Sequence, residues 1–600
     1  MAAWGGSETA FLGVERSLTG RRWRERAAEP DLTRALQARL GLSEPLARAL
    51  AARGVAIEAG EAFLNPTLKA LFPDPSSFAD MDLAAAKLVD LLEARGRLVV
   101  FADYDVDGAA SAAQIVRWFR AMGLEAAIHV PDRLIDGYGP TRAAFCALKE
   151  KGADLVVTVD CGAAAVDALA AAGEIGLAVV VIDHHPVREI PPGAIALVNP
   201  NRADCGSGQG ALAAAGVAFV LLAALNREAR RRGLFACRPE PDLRRWLDLA
   251  ALGAICDVTP LTGFNRALAS QGLKVMSAWA NPGLSALMQS AGTALRPAGV
   301  FEAGFLLGPR INAGGRIGRC DLGARLLSTD DPAEAAGLAA ELEVLNAQRK
   351  DVERRIFEGA VRQIEAESNL PVSHAGALIA ASEEWHPGVV GIVAARLRER
   401  YRVPAVVIGI DRAANIARGS GRSMAGVDLG EAIRAAYDEG LLLAGGGHAM
   451  AAGLTLRPAA IPELRYFLSE RLGAETAAAH AGDAIDVDVL SSPSAAPSLL
   501  CDFERLAPFG PGNPEPLVCF ANVTLEGVRP LRGGHIRLSL RDVEGGRLAA
   551  VAWRAGATEL GRRFCAGGGS LHLAGRLRRD SWRGGTVELE IEDASDPRRA

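Results

Sequence analysis

Three aspartates set the first chemical constraint in this 600-residue chain. Asp103, Asp105 and Asp107 stand at alternate positions in VVFADYDVDGAASAA, directly after an apolar run. In extended backbone that spacing turns all three carboxylates to one face. The run LVVFA (98–102) reads as a buried strand, and open α/β sheets hold ligands beyond the carboxyl ends of such strands. Gly108 and the small residues behind it let a helix start close by. Three carboxylates converging without cationic neighbours repel one another, so a divalent cation is the natural neutraliser. An EF-hand calcium loop also opens with D-x-D-x-D-G. It fails here because Gln114 occupies the twelfth position and a strand-like run precedes the motif.

Other apolar runs end in the same residue types. Asp160 closes ADLVVTV, Asp183-His184-His185 closes GLAVVVI, and Asp257 follows LDLAALGAIC. Taken singly, each aspartate reads as a cap or turn residue and the histidines as a packed pair. Three consecutive strands delivering Asp or His to one sheet edge favour a metal site. An oxygen-rich set with some imidazole suits Mn2+ or Mg2+. Two such ions roughly 4 Å apart activate a water and stabilise the leaving oxygen in phosphoryl transfer. The chemistry expected from the residues is phosphoester hydrolysis.

The elements that must position these groups follow from texture. Near-continuous apolar strands alternate with helix-like segments from about residue 86, which predicts an α/β fold with a parallel sheet covered on both faces. The predicted organisation is an N-terminal helical segment (1–85), a catalytic α/β domain (86–330), a connecting helix (331–370), a second α/β domain (371–475), and a linker with a small C-terminal β-barrel (476–600). An ordinary surface helix is an equal reading of 331–366.

Two glycine-punctuated segments carry groups suited to phosphate. Arg310, Asn312 and Arg316 lie in GPRINAGGRIG, where forked guanidinium donors match phosphate oxygens and glycine permits close backbone approach. Ser420, Gly421 and Arg422 offer a hydroxyl, an exposed amide and a guanidinium in ARGSGRS. His448 in GGGHAMAAG sits where a glycine-rich loop opening an apolar helix presents amides to a phosphate, a tight turn being the plainer reading.

Bulk properties bound the rest. Net charge is −5, so no global basic signature advertises a nucleic-acid partner, although a channel needs only a local basic lining. Nine cysteines without a C-x-x-C pair suggest neither a disulfide framework nor a zinc ribbon. The first residues lack a signal-peptide core, and no apolar run reaches the ~20 residues of a membrane span. A soluble, reduced, cytoplasmic protein with no membrane partner is expected.

The D-x-D-x-D-G segment, Asp160, the Asp183-His184-His185 triplet and Asp257 together resemble the DHH phosphoesterase superfamily. The resemblance implies that Asp105, Asp107, Asp160, His184 and Asp257 bind two metal ions. It implies that Asp103 and His185 shape the site or meet the scissile phosphate, and it leaves the role of Asp183 open. Further segments narrow it. GPRINAGGRIG is similar to the family's arginine–asparagine segment, with Gly314 where alanine is common. WHPGVVGIVAARL, ARGSGRS and GGGHAMAAG resemble the companion DHHA1 domain, and APFGPGNPEP the lead-in to a terminal OB-fold. The branch so resembled is the single-stranded-DNA-specific 5′→3′ exonucleases of repair and recombination, which release 5′-mononucleotides. That branch implies Arg133, Ser420 and Arg422 near the terminal 5′ phosphate. A helicase and a single-strand-binding protein are its expected partners, and monomer is the default state. In the barrel, Arg529, Arg532, His535, Arg537, Trp553, Arg554 and Trp582 are candidates for contacting a single strand. The competing readings are a sibling DHH phosphodiesterase and a non-catalytic DNA-binding scaffold.

Overall fold

The structure is a computed structural model that describes residues 9–133, 135–187, 189–367, 375–580 and 585–597. It divides into two compact units. The larger comprises 72–259 and 268–481; the smaller comprises 1–71, 260–267 and 482–600.

The larger unit contains two sheets. The first has five parallel strands in the order Ala127–His129, Leu98–Ala102, Leu155–Val159, Ala178–Ile182, Ala196–Val198. Val156, Val157, Val159 and Val179 through Ile182 are fully buried, as a sheet covered on both faces requires. Helices Val106–Ala121, Ala214–Arg231 and Leu247–Cys256 pack on one another, the first also against strand Leu98–Ala102. Their contacts are made largely by alanine: Ala110, Ala112, Ala113, Ala214, Ala215, Ala250 and Ala251 are fully buried. Small side chains bring helix axes close and hold the functional ends rigidly. A π-turn (Glu302–Leu307) leads into helix Gly308–Ile317, and a 36-residue helix, Pro332–Glu367, follows.

The second sheet is mixed, in the order Ala444–His448, Ala451–Leu456, Ile416–Arg422, Ala405–Asp411, Leu378–Ser382, with only the last two parallel. Here the sequence expectation is corrected. GGGHAMAAG does not open a helix; Ala444–His448 and Ala451–Leu456 form a tight antiparallel hairpin. Gly447, at φ 151°, lies so close to Ala451 and Ala452 that a Cβ would meet the Ala451 carbonyl at 2.3 Å. Apolar periodicity alone does not separate a short strand from a short helix, and hairpin pairing decided it.

In the smaller unit five strands close a barrel. Val518–Pro530 pairs with Ile536–Arg541, then Arg547–Ala552, Thr586–Ser595 and Ser570–Asp580 follow, and the last pairs back to Val518–Pro530. Phe520, Leu538, Phe564 and Leu589 fill it. Leu36, Leu46 and Leu50, from helices Pro30–Leu40 and Glu44–Ala51, share that core. Strand Arg22–Glu25 pairs in parallel with Ala484–Val487, and Trp23 donates its indole N–H to Asp593 at 3.0 Å. Trp553 is half exposed and edge-on to His535, while Trp582 lies outside the described residues.

Candidate metal centre

Three neighbouring strands end in acidic or imidazole groups. Leu98–Ala102 delivers Asp103 and Asp105, Leu155–Val159 delivers Asp160, and Ala178–Ile182 delivers Asp183, His184 and His185. Asp257 arrives separately, capping the C-terminus of helix Leu247–Cys256. The extended arrangement predicted for all three aspartates of the first motif stops at Asp105. Its Oδ1 accepts the amides of Asp107 and Gly108 at 2.8 and 3.1 Å, so the helix starts there and Asp107 lies in its first turn. A Cβ on Gly108 would press on the Asp103 backbone at 2.5 Å, which is why this turn needs glycine.

The ligand atoms converge in three overlapping groups, each within 4.8 Å: Asp103, Asp105 and Asp160; Asp107, His184 and Asp257; Asp160, His184 and His185. His184 Nε2 is central, 3.3 Å from Asp160, 3.7 Å from Asp257 and 3.9 Å from Asp107. It is buried and has no hydrogen-bond partner, as is Asp103 Oδ1. Burial, with the neighbouring Asp105 charge, pushes the Asp103 carboxyl up to about 8 and the Asp257 carboxyl to about 7. Burial raises Asp107 and Asp160 well above the ordinary range too, with Asp257 and Asp105 adding for Asp107 and Asp105 for Asp160. Burial and the adjacent His185 lower His184 to about 4, so its imidazole is neutral. A neutral imidazole lone pair among clustered carboxylates, with His184 Nε2 and Asp103 Oδ1 left unpartnered, fits divalent cations such as Mn2+ or Mg2+.

A supporting layer fixes these candidate ligands. Asp107 accepts the amides of Ala214 and Ala215 at 2.7 and 2.9 Å, where helix Ala214–Arg231 begins. Asp183, whose role the sequence left open, belongs to none of the three ligand groups. It accepts His184 N, His185 N and His185 Nδ1 at 2.7, 3.1 and 2.7 Å through one oxygen and Ala163 N at 2.9 Å through the other. Burial pushes the Asp183 carboxyl up, but His185 and these amides outweigh it and the group sits below the ordinary range. The same contact lifts His185 to about 9 against the pull of burial. Asp160 has φ 59°, a left-handed conformation that Asp and Asn tolerate better than most side chains.

Several contributors were not read from the sequence. Tyr138 donates its hydroxyl to the Asp160 carbonyl at 3.0 Å and lies 3.3 Å from His185 Nδ1. Asn199 and Asn201 donate to the carbonyls of His185 and His184 at 2.8 and 2.6 Å. The only signal available was an Asn after another short apolar run, at the same sheet edge.

The basic groups divide into two kinds. Arg133 lies over the Tyr104 ring at 5.0 Å. Arg316 donates to the Gly388 carbonyl at 3.1 Å; burial, then Arg133, Arg349 and Arg422, lower its pKa to about 10. Arg422 is lowered by burial and then by Arg133 and Arg398, and its guanidinium donates to Ser420 Oγ at 3.0 Å. Among the described residues Arg133, Arg316 and Arg422 form no carboxylate ion pair. Close, partly buried arginines lacking carboxylates are suited to an anion such as phosphate. Arg310 differs: it is buried against Glu343 and donates to the Leu306 carbonyl at 2.8 Å. Gly421 also differs from expectation. Its amide lies inside the sheet, between Val406 and Ala452, and its bare Cα admits Leu429. His448 is exposed at the hairpin end.

Asn312 and Arg316 line a cavity of about 240 Å3 with Cys256, Gly304, Gly308 and Arg349. Asn312 Oδ1 and Arg349 Nε are buried there without hydrogen-bond partners. Arg349 and Asn346, an (i, i+3) pair on the long helix bonded at 3.0 Å, were visible in the sequence as polar residues on its apolar stripe.

Comparison with known proteins yields three domain matches. The DHH family N-terminal domain matches residues 97–254, the DHHA1 domain 374–474 and the RecJ OB domain 486–593. The single-stranded-DNA-specific exonuclease RecJ of Bacillus subtilis is 33% identical over 579 residues, covering 96% of this chain and 71% of that protein. The crystal structure of RecJ from Thermus thermophilus in complex with Mn2+ superposes with a TM-score of 0.77 at 31% identity, covering 95% of this chain and 79% of that one. The corresponding Mg2+ complex gives 0.73 at 30%, covering 96% and 78%.

Proposed function

The chain belongs to the RecJ family of single-stranded-DNA-specific exonucleases, and on that premise we propose how its residues divide the work. It is a metal-dependent phosphodiester hydrolase that acts on single-stranded DNA and uses Mn2+ or Mg2+. We assign Asp103, Asp105, Asp107, Asp160, His184 and Asp257 to holding two ions. When bound, these ions supply a water activated near neutral pH and neutralise charge on the leaving oxygen.

The observation that carries the assignment is the meeting of a carboxylate–imidazole cluster with arginines that lack carboxylate partners. Arg316 feels both Asp105 and Arg133. In this reading Arg133, Arg316, Ser420 and Arg422 grip phosphates and set the scissile bond over the cluster. Asn312 contributes from the cavity wall. Arg310 acts at a distance, bracing its helix through Glu343, and Gly421 by letting the sheet pack. His448 meets the strand farther along the second sheet. His185, charged through Asp183, holds a proton beside the scissile phosphate. Tyr138 keeps the Asp160 turn in place.

Attack from the 5′ end, with release of 5′-mononucleotides, is the proposed polarity, the arginine group serving as the stop for a terminal 5′ phosphate. An enzyme confined to single strands needs duplexes opened and strands kept open, so a helicase and a single-strand-binding protein are the proposed partners. Among the described residues no helix is long and apolar enough to cross a membrane; a cytoplasmic monomer is proposed. Oligonucleotides carrying a 5′ phosphate, a 5′ hydroxyl or a bulky 5′ block test the polarity. Degradation should be fastest with phosphate, slower with hydroxyl and absent with the block. A 3′ block that stopped degradation while the 5′ block did not would reverse the assignment.

A further inference from the structure

Phe301 and Phe305 stack on each other with ring centroids 5.6 Å apart and planes 19° from parallel, yet they are 54% and 67% exposed. Large aromatic side chains are usually covered, and two left adjacent, nearly parallel and wet present a stacking face. The segment that carries them is held fast. Glu302, next to Phe301 in the chain, is buried, paired with Arg296 at 2.6 Å and accepting the Gly299 amide at 2.9 Å. Trp279 donates to the Arg296 carbonyl at 2.9 Å. The backbone there is a π-turn, a conformation common at functional sites.

Position says what the rings would meet. Gly304, between the two phenylalanines, packs against Ile255, where an added Cβ would lie at 3.5 Å. Cys256 Sγ lies 3.5 Å from the Ala303 carbonyl, and a Cβ on Gly308 would lie 2.7 Å from that sulfur. The turn therefore abuts the last turn of the helix that delivers Asp257. Gly304 and Gly308 also line the cavity that holds Asn312, Arg316 and Arg349. One turn thus borders phosphate-binding groups while presenting aromatic faces to solvent. Alternation of cationic and aromatic surface is how sequence-tolerant single-strand grooves work: arginines follow the backbone and rings take the bases.

We propose that Phe301 and Phe305 form a base-stacking platform for the substrate strand beside the metal centre, Phe305 being the more exposed contact ring. This rests on the nuclease reading and adds two positioning residues to it. Stacking of this kind forms equally in the ground and transition states, so it acts on KM and leaves kcat in place.

The test uses the full chain with Mn2+ and 5′-phosphorylated oligothymidylates that carry one abasic residue at successive positions from the 5′ end. On intact strands the Phe301→Ala/Phe305→Ala double variant should raise KM about tenfold with little change in kcat. At one or two abasic positions the unaltered protein should show the same rise, and the double variant should add nothing further. Phe305→Trp should restore KM, and thermal midpoints should match because both rings are exposed. Unchanged KM in the double variant, or losses that multiply at every abasic position, would overturn the platform. If the unaltered protein hydrolysed no strand at all, the nuclease reading itself would fall.

Discussion

His184 Nε2 lies 3.3 Å from Asp160 Oδ1, buried and without a hydrogen-bond partner. With the Asp160 carboxyl ionised the pair is repulsive, and the fold keeps it close, because Asp160 is fixed by a left-handed turn and His184 by Asp183, Asn201 and a backbone hydrogen bond to Leu212. Positive charge between them turns the strain into binding energy.

Asp160→Asn should therefore separate activity from stability. Asn accepts the left-handed backbone and removes one buried carboxylate. The variant should lose metal-dependent hydrolysis, while its metal-free form melts a few degrees higher than the unaltered protein in chelator. Differential scanning calorimetry with excess chelator checks this; a lower melting point would mean that Asp160 is a structural anchor.

Ion binding should release protons. Asp103 at about 8 and Asp257 at about 7 are largely protonated at pH 6.5, whereas an ion binds the deprotonated forms. Affinity for Mn2+ should rise with pH between about 6 and 8. Stability of the metal-free protein should move the other way. These carboxyls hold protons more tightly folded than unfolded, so folding stability falls as pH climbs from the ordinary carboxylate range towards about 8. Titration calorimetry in buffers of different ionisation enthalpy reads the protons directly. Ion binding with none released at pH 6.5 would mean that Asp103 and Asp257 are already ionised in the metal-free protein.

Asp183 is placed to act through the two histidines. Asp183→Asn keeps the shape but weakens the contact that holds His185 charged, and it forces one amide contact to change sign. Metal affinity or turnover should drop about 10- to 100-fold, as for other groups that orient metal ligands. The apparent upper pKa of the pH–rate profile should move down. A fall in rate with an unmoved profile would assign Asp183 to folding alone.

The arginines should behave as two classes. Arg316→Gln and Arg422→Gln should weaken single-strand binding at low salt and reduce the salt dependence by about one ion each. Arg310→Gln should instead lower the melting temperature, since it strips Glu343 of its buried partner. Binding isotherms across a salt series distinguish them; equal salt slopes for all three variants would merge the classes.

What could be read in advance was set by strand ends. Asp103, Asp160 and His184 were legible because a buried parallel strand announces itself by composition and its C-terminal end by the first charged residue. Asp107 was legible as a candidate ligand but not in its place. Alternation was the visible pattern, and the helix that Asp105 caps overrode it. Arg310 and Arg316 look alike in sequence, six residues apart in one segment. Only tertiary packing sets one against Glu343 and leaves the other facing the acids. Tyr138, Asn199 and Asn201 reach the site from loops, and loop geometry has no periodic signature.

The most direct measurement follows hydrolysis of a single strand labelled at its 5′ end, a copy labelled at its 3′ end, and the matching blunt duplex. Each is incubated with purified protein and Mn2+, beside Asp160→Asn. Immediate release of labelled mononucleotide from the 5′-labelled strand, gradual shortening of the 3′-labelled copy, an intact duplex and an inert variant are the predicted results. Mononucleotide released first from the 3′ end, or hydrolysis that survives in Asp160→Asn, would contradict the site as assigned.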